Sequence, residues 1–307
     1  MKYIDMHIHT TASDGSCTPE EVCQKVIEKD LAAFAITDHD TVDGILPALS
    51  YMKEATGTEH ADTLPDFIPG IELSAMYKGR EIHILGYYVD YTNPEFLTIL
   101  DDIKNDRIKR NTAMCELFQA QGIDMTMEKL AHGNPGSVIT RAHFARVLLE
   151  EGIVKNKDQA FKKYLGEGCK CYIKKEEIPC EYAMEILKKY SKGAFLAHPM
   201  LYKYGYREIE ELIEYLIPLG LKGIEAYHSS NNGYDSGRLR EIALHHDLLV
   251  SGGSDFHGYI KPDIDIGSGR GSLRVTEAVY QKLKQQPFVI AYGKACCNVT
   301  MSQTSLQ

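Results

Sequence analysis

Apolar residues fall into short, β-branched runs separated by stretches with a helical repeat. Runs at 2–6, 32–37, 67–74, 81–87, 194–197, 223–226 and 248–251 predict seven strands. Thr18-Pro19-Glu20-Glu21 predicts a helix start. Thr18 can cap it, Pro19 fits the first turn and Glu21 completes a capping box. Val22, Val26 and Ile27 then share one apolar face. The helical period returns over 208–216 and 236–246. Strands alternating with helices predict an α/β parallel sheet or barrel.

The rhythm breaks over 93–176. Helical patterns at 96–121, 140–150 and 158–165 follow one another, and the next strand-like run is 171–173. This predicts barrel segments at 1–92 and 177–307, with a helical, substrate-capping insertion at 93–176 between them. No internal repeat or low-complexity segment interrupts the pattern. The polar tail 301–307 is expected to be loose.

The 307 residues suffice for one large domain carrying an insertion. A net charge of −9 argues against a broad grip on long nucleic acid, though not against a short nucleotide in a locally positive site. The start Met1-Lys2-Tyr3-Ile4-Asp5 lacks the apolar core of a signal peptide, and no run approaches the ~18 apolar residues of a membrane span. A cytoplasmic protein with no membrane partner is expected. The eight cysteines form no CxxC pair and are read as reduced thiols, Cys296 and Cys297 included. Cys169-Lys170-Cys171 is read as ordinary half-buried thiols.

Chemistry enters with the strand ends. The first ends in His7-Ile8-His9, with Asp14 beyond; the second in Asp38-His39-Asp40. The third and fourth carry Glu72 and His83, and the fifth ends in His198-Pro199. The sixth carries Glu225 and His228, and the seventh ends in Asp255-Phe256-His257. In a parallel barrel such ends converge on one face. His7 and His9, two apart on a strand, point the same way. One histidine after a strand is ordinary. A crowd of buried carboxylates and imidazoles is costly unless cations lie among them. Imidazole nitrogen with carboxylate oxygen suits divalent ions, and the set has no thiolate of a structural zinc site.

As a set, His7-x-His9 with Ser13-Asp14-Gly15, Thr37-Asp38-His39-Asp40-Thr41, Gly70-Ile71-Glu72, His83, Ala197-His198-Pro199 and Ser254-Asp255-x-His257 resemble the PHP (polymerase and histidinol phosphatase) family. The resemblance implies a distorted (β/α)7 barrel, TIM-barrel-like, holding two or three divalent ions: manganese first, iron or zinc otherwise. It implies His7, His9, Glu72 and Asp255 on one ion, and Asp14, His39 and His257 on a second. A third would take His83 and His198, with Glu72 as bridge. Ile139-Thr140-Arg141-Ala142-His143-Phe144-Ala145 is similar to the SRTHFA-type segment of the insertion in the stand-alone branch. Activities in that branch are a 3′,5′-nucleoside bisphosphate phosphatase, a 5′–3′ oligoribonucleotide exonuclease and a cyclic phosphate diesterase. Relatives often follow the fifth-strand His-Pro with Gly-Arg-Tyr; here Met200-Leu201-Tyr202-Lys203 follows, which leaves Lys203 as a stand-in basic contact.

Two ions about 3.5–4 Å apart can bridge a water, lower its pKa and clamp phosphate oxygens. The expected reaction is therefore hydrolysis of a small phosphate ester, of a nucleotide or phosphosugar, by the bridging hydroxide. His228 is the candidate general acid, and His198 combines ligation with positioning. Asp40 either orients His39 or caps the next helix. Arg141 can fork onto a phosphate, and His143 shares that segment. Lys162 and Lys163 are read as solvated charges. The alternatives are an exonuclease on short oligoribonucleotides, a C–N hydrolase and a non-catalytic metal-binding module. The C–N reading lacks its strand-end lysine, because Glu72 takes the bridging place; the module reading lacks the ligand losses expected of it.

Overall fold

The structure, a computed structural model, describes residues 2–57, 64–134, 136–174 and 178–285. Cys296, Cys297, the tail 301–307 and the insertion boundary at 176 lie outside the described residues. All seven predicted strands form. β1 (Ile4–Ile8), β2 (Ala33–Ile36), β3 (Asp66–Tyr77), β4 (Arg80–Tyr87), β5 (Gly193–Leu196), β6 (Leu221–His228) and β7 (Leu249–Gly253) stand side by side in chain order. Beyond β7, Asp255 N donates to His7 O at 2.9 Å and His9 N to Phe256 O at 3.0 Å, which brings β7 back to β1. That approach needs Gly253, where a Cβ would sit 2.4 Å from His7 N.

One strand departs from the parallel expectation. β4 runs antiparallel to both β3 and β5. The cause is the two-residue turn Lys78-Gly79, with φ of 46° and 79°. Positive φ at both central residues makes a tight hairpin turn, and a hairpin forces reversal. The beginning of β4, not its end, therefore lies at the barrel mouth, and His83 reaches it opposite Ser74.

α1 (Pro19–Glu28) starts as predicted. Thr18 Oγ1 accepts from Glu21 N at 3.2 Å, and the Glu21 carboxylate accepts from Thr18 N at 2.8 Å. With it, α2 (Ile45–Ala55), α7 (Cys180–Tyr190), α8 (Tyr206–Leu216), α9 (Gly233–His245) and α10 (Glu277–Lys284) cover the barrel. The insertion holds α3 (Pro94–Gln119), α4 (Met127–Ala131), α5 (Arg141–Glu150) and α6 (Lys157–Ala160), the last continued by a π turn over Phe161–Leu165. α3 belongs to both regions. Its Phe96 and Leu100 pack into the barrel's apolar cluster, while Met114 and Phe118 join a separate cluster with Phe144, Leu148, Leu165 and Cys171.

The strand expected at 171–173 does not form. Cys171 is buried in the insertion core, and Arg110 Nε donates to Ile173 O at 2.9 Å. A side chain thus satisfies backbone that a sheet partner would otherwise take. Among the described residues no helix is long and apolar enough to cross a membrane.

Candidate active site

Glu72, fully buried, is the hub of the barrel mouth. Its Oε2 lies 3.3 Å from His7 Nε2, 3.1 Å from His9 Nε2 and 3.2 Å from His39 Nδ1. Its Oε1 lies 2.9 Å from His83 Nδ1 and 2.8 Å from His198 Nε2. Asp255 Oδ1 approaches His9 Nε2 at 3.4 Å and His7 Nε2 at 3.8 Å. Asp14 Oδ1 approaches His257 Nε2 at 3.2 Å, His9 Nδ1 at 3.7 Å and His39 Nε2 at 3.9 Å. All nine candidate ligands thus meet. Their donor atoms form three overlapping groups: His7, His9 and Glu72; His9, Asp14, His39 and His257; and His39, Glu72 and His83.

These atoms fit cations better than they fit one another. His257 Nδ1 lies 2.9 Å from Asp255 O, an acceptor, so that nitrogen carries the proton. Burial lowers the His257 pKa and keeps the ring neutral, which turns the Nε2 lone pair toward Asp14 Oδ1. Two acceptors then face each other. Burial likewise holds His39 down to about 3. Asp14 Oδ1, Glu72 Oε2 and His39 Nδ1 are buried without a hydrogen bond. Each such orphan costs about 1–3 kcal/mol, and divalent ions among them would remove that cost. Other rings take protons instead. Burial opposes charge on His9, but Asp255 and Glu72 raise it to about 9. Burial also opposes charge on His83, but Glu72 raises it to about 10.

A ring of carboxylates holds this cluster in place. Glu225 Oε1 lies 3.0 Å from His7 Nδ1, and Glu225 Oε2 accepts from His198 N at 2.8 Å. Asp5 accepts from Ser254 N at 2.8 Å, Gly267 N at 2.7 Å and His7 N at 3.3 Å. Asp38 accepts from Thr10 N at 2.7 Å, Thr10 Oγ1 at 2.7 Å and Ser13 Oγ at 2.6 Å. The sequence places Glu225 and Asp38 among the strand-end groups without this holding role, and it singles out no role for Asp5. The period-two row Asp5-x-His7-x-His9 was the signal that would have found Asp5. Asp40 does not cap the next helix, whose N-cap Gly44 has no side-chain hydrogen bond. With φ of 52°, Asp40 instead accepts from Ser74 N at 2.9 Å and pairs with Arg107 of α3.

The floor of a 430 Å³ cleft includes Asp14, His39, Glu72, His83 and His198. Arg107, Arg110 and Arg141 line it, as do Lys157 and Lys261. The Arg141 guanidinium lies 2.7 Å from Glu81 Oε2. His143 is not on the cleft wall. It is buried, held down to about 4 by burial, and its Nδ1 accepts from Thr140 N at 3.0 Å. It therefore caps α5, and Thr140 Oγ1 in turn donates to Asp14 Oδ2 at 2.8 Å. Lys203 is exposed at the left-handed end of a short turn, and the cleft wall does not include it. Lys261, 2.6 Å from Asp255 Oδ2, and Lys157 supply the positive charge instead. His228 also lies off the wall. It is buried, with Nε2 3.4 Å from Asp255 Oδ2 and Nδ1 accepting from Ser230 N at 3.1 Å. Lys162 and Lys163 are exposed, as expected.

Residues 5–217 match the PHP domain family. The chain belongs to that family. A 5′–3′ exoribonuclease of Escherichia coli is 32% identical over 286 residues, covering 92% of the PHP chain and 94% of the relative. A 3′,5′-nucleoside bisphosphate phosphatase of Chromobacterium violaceum is 31% identical, covering 92% and 97%. A solved structure from C. violaceum, described as an amidohydrolase with bound sulfate and no metal, aligns with a TM-score of 0.78 at 30% identity, covering 92% and 96%. This PHP chain is a hydrolase of phosphate ester bonds.

Proposed function

We propose that this PHP enzyme hydrolyses a small phosphate ester: the 3′-phosphate of a nucleoside 3′,5′-bisphosphate, or a cyclic phosphodiester of a sugar. The observation that carries the reading is the convergence of buried, unsatisfied acceptor atoms on Glu72 under a cleft walled by guanidinium groups. His7, His9, Glu72 and Asp255 would hold one divalent ion, and Asp14, His39 and His257 a second. Glu72 would bridge to a third with His83 and His198. Manganese is our first assignment, with iron or zinc equally compatible with the donor set. Such ions, when bound, activate water and offset charge on phosphate oxygens.

The chain's own groups orient the parts. Glu225 holds the proton of His7 at Nδ1 and leaves Nε2 free to ligate. Arg141 can exchange Glu81 for a phosphate oxygen pair, since its guanidinium fork fits both. His198 lines the cleft and touches Glu72, so ligation and positioning coincide there. His228 steadies Asp255 from behind and is not itself on the cleft wall.

The test is phosphate release from adenosine 3′,5′-bisphosphate by the manganese-loaded protein. Metal content is measured in parallel, and a His9→Ala variant is expected to lose both. No turnover across a panel of phosphomonoesters and cyclic diesters would sink the reading. A second reading, stepwise cleavage of short oligoribonucleotides from the 5′ end, draws on a second hollow of 280 Å³. It shares Ser74, Arg107 and Arg110 with the cleft and gives a longer chain somewhere to go. A 5′-phosphorylated trinucleotide in the same panel separates the two.

A further inference from the structure

A second histidine cluster lies outside the barrel mouth, where the end of α9 meets α8. α9 begins just after the loop that follows His228, and its 13 residues carry the chain about 20 Å along the helix before it ends in His245. Glu210 Oε1, on α8, lies 3.1 Å from His246 Nε2. The rings of His245 and His246 stand with centroids 4.8 Å apart, at 83° to each other. One ligand atom from each of Glu210, His245 and His246 lies within 4.8 Å of the other two.

The backbone fixes this corner. His246 caps α9, and its N–H donates to Ile242 O at 3.1 Å. Asp247 then turns left-handed, with φ of 52°, and Leu248 N donates back to Ala243 O at 2.8 Å. Glu210 and His246 are half-buried and held against each other, whereas His245 is exposed and can swing its ring. The last carbonyls of a helix carry partial negative charge and favour a cation beside them. Two imidazoles, a carboxylate and a helix C-terminus therefore share one spot.

We propose that Glu210, His245 and His246 form a further metal site, which takes zinc and clips α9 to α8. Zinc holds nitrogen and oxygen ligands at about 2.0–2.2 Å in a tetrahedron, so its ligand atoms stand about 3.3–3.6 Å apart. The Glu210–His246 spacing of 3.1 Å is close to that, and rotation of His245 closes the rest. With zinc on Nε2, the His246 ring keeps its single proton at Nδ1. Water takes the fourth position. Such a site holds zinc more tightly than manganese, so manganese supplied to the barrel should leave it unfilled. The proposal is independent of what the barrel hydrolyses.

The test is zinc titration of the full chain, read by calorimetry and by elemental analysis after gel filtration. Compared with the wild-type protein, Glu210→Gln and His246→Ala should each bind one zinc fewer per chain. Loss of a ligand should weaken that step by at least the roughly 10- to 100-fold that loss of an outer partner costs. Gln at 210 can still accept the His246 N–H, so its loss of zinc separates ligation from a plain helix–helix hydrogen bond. Neither residue lies in the cleft, and phosphate release by the manganese-loaded variants should match the wild type. Repeating the titration in Glu72→Ala, alone and with His246→Ala, reads the outer site with the barrel centre weakened.

Equal zinc stoichiometry and affinity in the wild type and both variants overturns the site, whether or not Glu72→Ala folds. Zinc lost by His246→Ala but kept by Glu210→Gln overturns the clip, since α8 then supplies no ligand.

Discussion

The barrel and the insertion hold their shares of the cleft in different ways. In the barrel, ligand-bearing segments are tied together by carboxylates that accept several bonds each: Glu225 spans β1 and the end of β5, Asp5 spans β1 and the end of β7, and Asp38 spans the ends of β2 and β1. His198 and Asp255 even keep left-handed backbone, at φ of 24° and 57°. Each such strain costs about 1–3 kcal/mol and persists only where the surroundings over-determine it. The insertion has its own apolar core around Phe118 and Phe144. It meets the site through separate polar contacts: Thr140 with Asp14, Arg141 with Glu81, and Val138 N with Ala12 O at 2.9 Å. Reaction chemistry is placed where geometry is fixed many times over. On the reading proposed above, substrate choice falls to a wall that can be rebuilt without disturbing it.

The largest expected effect breaks the barrel side of this contrast. Glu72→Ala leaves five imidazoles facing a missing counter-charge. Bound metal, measured by elemental analysis, should fall below stoichiometric. Phosphate release should drop by about 10³-fold, the several kcal/mol that metal activation contributes. Retention of full metal content would show that Glu72 does not organise the centre. Next in size is Phe144→Ala. Phe144 is fully buried and stacks on Phe118 with ring centroids 5.8 Å apart. The cavity should cost about 3–5 kcal/mol. The contrast predicts that this cost falls on the insertion alone. Calorimetry of the metal-loaded protein should show an early transition followed by an unchanged barrel transition. One transition shifted as a whole would make the two regions a single cooperative unit.

Sequence pattern carried the barrel further than the insertion. Strand residues such as Ile4 to Ile8 are buried on both faces, so their runs are continuous and readable. The ligands were legible because they alternate with those runs. The reversal of β4 was not read, because its signal was two residues, Lys78-Gly79. In the insertion, 171–173 looks like a strand by composition, yet its partner is one arginine side chain, which no local pattern encodes. His143 was read as a substrate contact because it lies beside Arg141. Its place at the third position of a capping box turns it to the helix end instead. Arg107 and Arg110 carry no local sequence signal, since only the packing of α3 against the mouth gives them a site.

A smaller effect sharpens the claim that the barrel ligands are held from behind. Glu225→Gln removes one of two acceptor oxygens shared by His7 and the His198 backbone. Metal affinity should weaken by about 10- to 100-fold, as is usual when a ligand's outer partner is lost. The pH dependence carries the sign. His9 and His83 titrate at about 9 and about 10 without metal, and a protonated ring nitrogen cannot ligate. Metal binding must therefore release protons, and affinity should rise with pH below those values. Titrating manganese at pH 6.5 and 8.0 in buffers of different ionisation enthalpy reads both quantities. An affinity that stays flat over that range contradicts ligation by these rings.

The smallest effect falls at the seam. Thr140 Oγ1 accepts from Ala142 N at 3.2 Å to cap α5 and donates to Asp14 Oδ2 at 2.8 Å. Thr140→Val keeps the shape and removes both bonds. Loss of the cap should cost about 1 kcal/mol, all of it on the insertion side. Loss of the donor leaves Asp14 one constraint short while its other contacts, to His9, His39 and His257, remain. Because those barrel contacts survive, phosphate release should fall only about threefold, within the ~1 kcal/mol of a single hydrogen bond. Thr140→Ser, which restores the hydroxyl, should recover both properties. A loss as large as that of Glu72→Ala would mean that the insertion, and not the barrel alone, fixes the metal ligands. The division of labour between the two regions would then have to be withdrawn.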